Sequence, residues 1–196
     1  MNTSAARMLI LAVFSGLSMN LILQLGLGLM GIAQGKTGGR LRFFAGLGLL
    51  FTAVMILWLI FSFIRMLLPL GLYEYVLVFP VSFMTYSLFN YLWQNFHSGK
   101  IALFGDTLSG GTLVSAALFI TLNVAGGILE AAVLSLGFCL GLAFTTAVVG
   151  EIRRRSEMEA VPGILRGGPL ALISMGLLSL VFSSATLMLF GILGAK

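Results

Sequence analysis

Apolar residues fill this chain in six long runs, and polar residues gather in the short stretches between them. The runs lie near residues 8–33, 43–67, 70–92, 110–129, 131–150 and 169–193. Each holds the roughly 20 consecutive apolar residues that a helix needs to cross about 30 Å of hydrocarbon. The pattern predicts an all-α integral membrane protein of six transmembrane helices, forming a single transmembrane domain over residues 1–196. Arg7 and the apolar residues 8–14 have the layout of a signal peptide, but the run continues to about Ala33, so it reads as the first span. The longest polar stretch, residues 151–168, contains one proline and a charge run. It reads as a loop, too short to fold by itself.

Composition agrees. Hydrophobic residues make up 59% of the chain, charged residues 9%, and mean hydropathy is +1.11, whereas a soluble domain is about 25% charged. The charges divide unevenly between the two sides that six spans would define. Lys36, Arg40, Arg42, Lys100, Arg153, Arg154, Arg155 and Arg166 fall in loops 1–2, 3–4 and 5–6, against Arg7, Arg65 and Lys196 on the other side. Cytoplasmic loops carry the excess of Lys and Arg, so both termini are expected on the non-cytoplasmic side. The pI of about 9.9 then reflects topology and contact with anionic lipid. It gives no reason to invoke nucleic acid.

Two of the runs share a pattern. The first carries Asn20 and Gln24 ahead of Gly26, Gly28, Met30 and Gly31; the fourth carries Asn123 and Val124 ahead of Gly126 and Gly127. In each half, a continuous apolar run, a break with proline (Pro69, Pro162) and another apolar run follow. Three spans per half make the second half enter the bilayer from the opposite side, which predicts a 3+3 inverted repeat with halves of about 1–95 and 96–196. Glycine-interrupted helices at matching positions point to a functional midplane, with helices 1 and 4 broken there. Glycine and asparagine at such places also serve plain helix packing, and both readings stand at this point.

The stretches EIRRR at residues 151–155 and VPGILRGGPLALISMGLLSLVF at residues 161–182, with weaker support from residues 20–31 and ITLN at 120–123, resemble the homologous A and E membrane subunits of Rnf complexes. These subunits correspond to D and E of the sodium-pumping NADH:quinone reductase. The resemblance covers nearly the whole chain and is nearest to the A-type orientation. It implies a multi-pass subunit of a prokaryotic inner membrane, paired with an inverted homologous subunit. The complex would couple electron transfer to Na⁺ or H⁺ movement, with this chain as a non-catalytic or electron-relay subunit. The family places a cysteine in each broken helix, and two such subunits together hold a [2Fe–2S] cluster. Met30 and Val124 occupy those positions here. Cluster irons take thiolates, with histidine an occasional substitute, so no cluster is expected on this chain's own thiolates.

Little other chemistry is on offer. Cys139, the only cysteine, lies among apolar residues and reads as a small buried side chain. His97 is the only histidine, so neither a bis-histidine haem nor a three-ligand zinc site can be assembled. Gly35, Lys36 and Thr37 look like the end of a phosphate-binding loop, but Gly31 stands one position short of the required spacing. Glu74, Asp106 and Glu130 read as interfacial, with Glu130 a possible ion vestibule because it follows the break in the fourth run. Three functions fit: a subunit of a redox complex, a small inverted-repeat transporter or channel, and a purely structural membrane subunit. Cysteine-bearing and flavin-containing partners select the first, and transport by the isolated chain selects the second. Copurification with redox subunits, with electron transfer unaffected by loss of Asn20 and Asn123, selects the third.

Overall fold

The computed structural model describes residues 8, 10–18, 20, 40–67, 71, 73–96, 107–158 and 168–194. They are almost entirely helical. A first segment turns π-helical over Phe14–Ser18, and five α-helices follow: α1 (Arg40–Leu67), α2 (Tyr73–Phe96), α3 (Thr107–Val124), α4 (Ile128–Met158) and α5 (Gly168–Gly194). Among the described residues three stretches are long and apolar enough to cross a bilayer: Phe43–Leu67, Tyr73–Leu92 and Ile128–Ser156.

Helix α1 buries Leu50, Val54, Leu57 and Phe61, a spacing of four, three and four that keeps one stripe facing its neighbours. That stripe packs with Val114, Ala117 and Leu118 of α3 and Leu134, Phe138 and Leu142 of α4 in a common core. Gly71, in the left-handed region at φ +52°, lies in the connection from α1 to α2. A side chain there would be strained. At that end, Nε of Arg65 in α1 donates to both carboxylate oxygens of Glu74 in α2 at 2.7 Å, and its Nη1 donates to the Leu122 carbonyl of α3 at 3.1 Å. The C-terminal ends of α1 and α3 therefore meet the N-terminal end of α2.

Helix α2 is apolar outside and polar inside. Its buried residues are Glu74, Val78, Ser82, Tyr86 and Asn90, every fourth position over about 24 Å, and four of the five are polar. Phe79, Met84 and Leu88 point outward instead, along a shallow groove of about 880 Å³ that Thr112 of α3 also lines. This inversion suits hydrocarbon outside, where lipid contact rewards apolar groups and unpaired polar ones cost several kcal/mol. Tyr73 and Tyr91, both exposed, stand about 27 Å apart along the helix. That is close to the roughly 30 Å thickness of a bilayer's hydrocarbon core, at whose edges tyrosine is enriched.

Three expectations change. The stretch expected to begin a loop at Glu151 is helical to Met158, because EIRRRSEM is rich in helix formers and Glu151 pairs with Arg155 one turn on, at 3.0 Å. Apolarity marks where a span ends; a helix can run on into water. Glu74 is buried and ion-paired, not merely interfacial. The interruption in the fourth run does not lie inside one helix: α3 ends at Val124 and α4 begins at Ile128, so Gly126 and Gly127 form the connection between two helices.

Candidate functional site

Two groups of polar residues stand out in the interior. The first surrounds Asn20, which follows the π-helical turn and is 2% exposed. Its amide nitrogen donates to the carbonyls of Gly16 at 3.1 Å and Gly141 at 3.0 Å and to Thr145 Oγ1 at 2.8 Å. The asparagine reaches these groups because α4 presents Gly137 and Gly141, four residues apart, to the first segment. A Cβ on Gly141 would lie 2.3 Å from the Gly16 oxygen, and one on Gly137 would lie 1.8 Å from Ser15 Oγ. Backbones this close are what small residues at four-residue spacing permit. Ala12 lies against Gly137 and Asn20 against Gly141 and Thr145, so the first segment runs parallel to α4.

The second group occupies the end where α1, α2, α3 and α4 meet. Glu74 holds Arg65, Tyr75 Oη donates to Asn123 Oδ1 at 2.8 Å, and the Asn123 amide donates to the Phe119 carbonyl at 2.8 Å. Glu130 Oε2 accepts the Gly126 N–H at 2.8 Å. Glu130 stands in the first turn of α4, where a carboxylate satisfies an N–H the helix cannot pair and complements the helix dipole. The carboxylate noted as a possible ion vestibule thus caps a helix. Deeper between α2 and α3, Ser82 and Ser115 share a hydrogen bond and Ser115 also donates to the Gly111 carbonyl. Tyr86 and Phe83 lie over Gly110 and Gly111, where a Cβ would sit 2.0 and 2.6 Å from their rings. Among the described residues the Asn90 carbonyl oxygen has no hydrogen-bond partner.

The structure does not bring Asn20 and Asn123 together. Asn20 is buried at Gly141, about 20 Å along α4 from its first residue, while Asn123 is exposed beside the turn that precedes that residue. The reason is the position of the break: with Gly126 and Gly127 at a helix end, Asn123 is carried to the end of the bundle. Val124 and Gly127 are half-buried at that end and Gly126 is exposed; Gly26, Gly28 and Met30 lie outside the described residues, as do His97 and Asp106. Cys139 is buried, its thiol donating to the Leu47 carbonyl of α1 at 3.4 Å. Among the described residues no group of three His, Cys, Asp or Glu side chains is placed to hold a metal ion.

Two features escaped the sequence reading. The pair Gly137 and Gly141 is a small-xxx-small signal within an apolar run, and Glu74, Ser82, Tyr86 and Asn90 recur at multiples of four residues. Comparison with protein-family models, with curated proteins and with solved structures finds no match.

Proposed function

We propose that this protein is a multi-pass inner-membrane subunit of a larger complex, and that its own contribution is architectural: it holds a fixed helical frame in the bilayer. The observation that carries this is how the interior polar groups are used. Asn20, Thr145, Ser82, Ser115, Glu74, Arg65 and Glu130 each bond across or between helices, or cap one. An Rnf-like complex, coupling electron transfer to Na⁺ or H⁺ movement, is the assembly we propose on the resemblance of residues 151–182. Its inverted homologue and its other redox subunits would be the partners. With Met30 and Val124 at the cysteine positions, the thiolates of any [2Fe–2S] cluster come from those partners.

An inverted repeat is part of the proposal, and the helix contacts support it. Exchange the first segment with α3, α1 with α4 and α2 with α5, and three pairs of contacts correspond, while the α3–α4 contact has no counterpart of similar extent among the described residues. The first segment rests on α4 as α3 rests on α1, it touches α5 as α3 touches α2, and α4 meets α5 as α1 meets α2. Both matched pairs are parallel, since Arg65 near the end of α1 meets Leu122 near the end of α3. The end bearing Arg154 and Arg155 would face the cytoplasm by the excess of positive charge, with the chain termini on the other side.

The test is purification of the native assembly in mild detergent, followed by subunit identification and cofactor analysis. Copurification with flavin- and iron–sulfur-containing subunits is expected, with iron and acid-labile sulfide absent from the separately expressed chain. Recovery of the chain without partners, together with solute transport by that chain in liposomes, refutes the proposal in favour of a transporter. Stoichiometric cluster in the isolated chain refutes the assignment of the thiolates to partners.

A further inference from the structure

Helix α4 is longer than a bilayer is thick, and the excess lies at the end that carries most of its charges. The helix starts at the Tyr73 end of the bundle, because Tyr75 bonds Asn123 beside the turn that leads into it. Its 31 residues extend about 46 Å, whereas the hydrocarbon is about 30 Å deep and ends near Val148. The apolar run stops at the same place, with Val148 and Val149 followed by Gly150 and Glu151. Residues 149–158 climb about 15 Å farther, through a headgroup layer only about 5–8 Å deep. Arg154 and Arg155 therefore stand at or beyond its outer edge. The extension is held on one side: Ile152 is half-buried and Ser156 is buried, while Glu151, Arg154 and Arg155 are exposed on the other face.

The charges on this face say what it recognises. Arg155 Nε donates to Glu151 Oε1 at 3.0 Å. Glu151 lies one turn nearer the membrane, about 5 Å past Val148 and so at headgroup level. Its carboxylate stands between Arg155 and the lipid phosphates, which it repels, while the Arg155 side chain keeps 70% exposure. Arg154 beside it is exposed as well, and Arg153 adds a third positive charge in the same turn. Guanidinium groups presented by a fixed helix match carboxylates on another protein in paired, directed hydrogen bonds. We propose that this face of α4 docks an acidic surface of a peripheral, water-soluble subunit on the cytoplasmic side. Height above the hydrocarbon and the placement of Glu151 both favour that partner over anionic lipid headgroups. The inference rests on the reading of this chain as a subunit of a larger complex, and it names the point where the membrane frame meets the soluble part.

The experiment uses the native assembly in its own membranes. Membranes are washed with increasing sodium chloride, and the subunits released at each step are identified and measured. Contacts between exposed charges are screened by salt, so the subunit docked here should come off at a defined salt concentration. In Arg154→Gln/Arg155→Gln that concentration should fall about threefold or more. The Arg154→Lys/Arg155→Lys variant keeps the charge and should recover most of the difference. Glu151→Gln breaks the pair with Arg155 but leaves every arginine, and should hold the subunit at least as firmly as the unaltered protein. An unchanged release concentration in the double glutamine variant overturns the docking face and leaves the reading as a complex subunit intact. Absence of any peripheral subunit from the unaltered assembly overturns both. Unchanged release, together with loss of the rise in unfolding midpoint that added phosphatidylglycerol gives the purified unaltered protein, assigns the arginines to lipid and overturns the proposal. Should the double variant not accumulate, Arg154→Gln alone decides, since it leaves the Glu151–Arg155 pair in place: earlier release supports the docking face, and unchanged release overturns it.

Discussion

Replacing Gly141 with alanine adds one methyl group to the protein, and the structure says where it goes. The new Cβ would lie 2.3 Å from the Gly16 oxygen and 3.0 Å from both Gly16 Cα and its carbonyl carbon. All three are backbone atoms, so no side chain can rotate away; the first segment must move off α4 by an ångström or more. That movement stretches the Asn20 bonds to Gly141 and Thr145, now 3.0 and 2.8 Å. Interhelical hydrogen bonds in membranes average about 0.6 kcal/mol each, and a polar group left unsatisfied costs about 1–3 kcal/mol. With lost packing, a destabilisation of about 2–4 kcal/mol follows, a fall in midpoint on the order of 5–10 °C for a chain of this size. Gly176→Ala is the matched control: a Cβ there meets nothing within 4 Å, and alanine is favoured in a helix interior by about 1 kcal/mol. The buried Cys139, the only cysteine, supplies the assay, since a thiol-reactive fluorophore will report the temperature at which it becomes accessible. Equal midpoints for Gly141→Ala and the unaltered protein, or a fall as large for Gly176→Ala, would refute the close-packed seam.

Two further outcomes can be checked with ordinary variants. Glu74→Gln breaks a pair in which the carboxylate is buried but the Arg65 side chain is 41% exposed. Solvent screening limits the loss to about 1–2 kcal/mol, whereas Glu151→Gln, in an exposed pair, should cost less than about 0.5 kcal/mol by the same unfolding measurement. For topology, in a Cys139→Ala background, a cysteine at Arg154 should resist an impermeant thiol reagent in intact cells and one at Tyr73 should react; the reverse labelling would invert the proposed orientation.

How much of this was legible in the sequence depends on the range of the interaction. Helix content and the outward apolar surface were, because both follow from local composition. Asn20 stood out as a polar residue in an apolar run, yet its partners Gly141 and Thr145 lie 121 and 125 residues away, and nothing local couples them. The stripe on α2 was present in the letters as Glu74, Ser82, Tyr86 and Asn90. Weighing each carboxylate singly hides it, because the meaning lies in the four-residue recurrence that puts all four on one face. The role of Glu130 depends on where α4 starts, and helix ends are set by caps to within a residue or two. The same shift of a few residues moved Gly126 and Gly127 from mid-span to a turn.

That shift makes the two matched asparagines unequal, which can be measured. Asn20 is buried and joins the first segment to α4, while Asn123 is exposed and bonds Tyr75 and its own helix. Asn20→Leu places a branched side chain against the Gly141 carbonyl and Thr145 hydroxyl and strips both of a donor, so a loss of about 2–4 kcal/mol is expected. Asn123→Leu loses one bond at an exposed helix end, and the freed Tyr75 hydroxyl can turn to water or headgroups. Its cost should be near the membrane average of about 0.6 kcal/mol. In a double-mutant cycle, Tyr75→Phe and Asn123→Leu should couple by that same amount, since each single change removes the one shared bond. Asn20→Leu should show no coupling to Tyr75→Phe, because the hydrogen bonds described at the two sites share no partner and the sites lie at different levels of the bundle. Equal costs at Asn20 and Asn123, or coupling between Asn20 and Tyr75, would mean that the asparagines do act at one site, and the separation of the two polar groups would have to be abandoned.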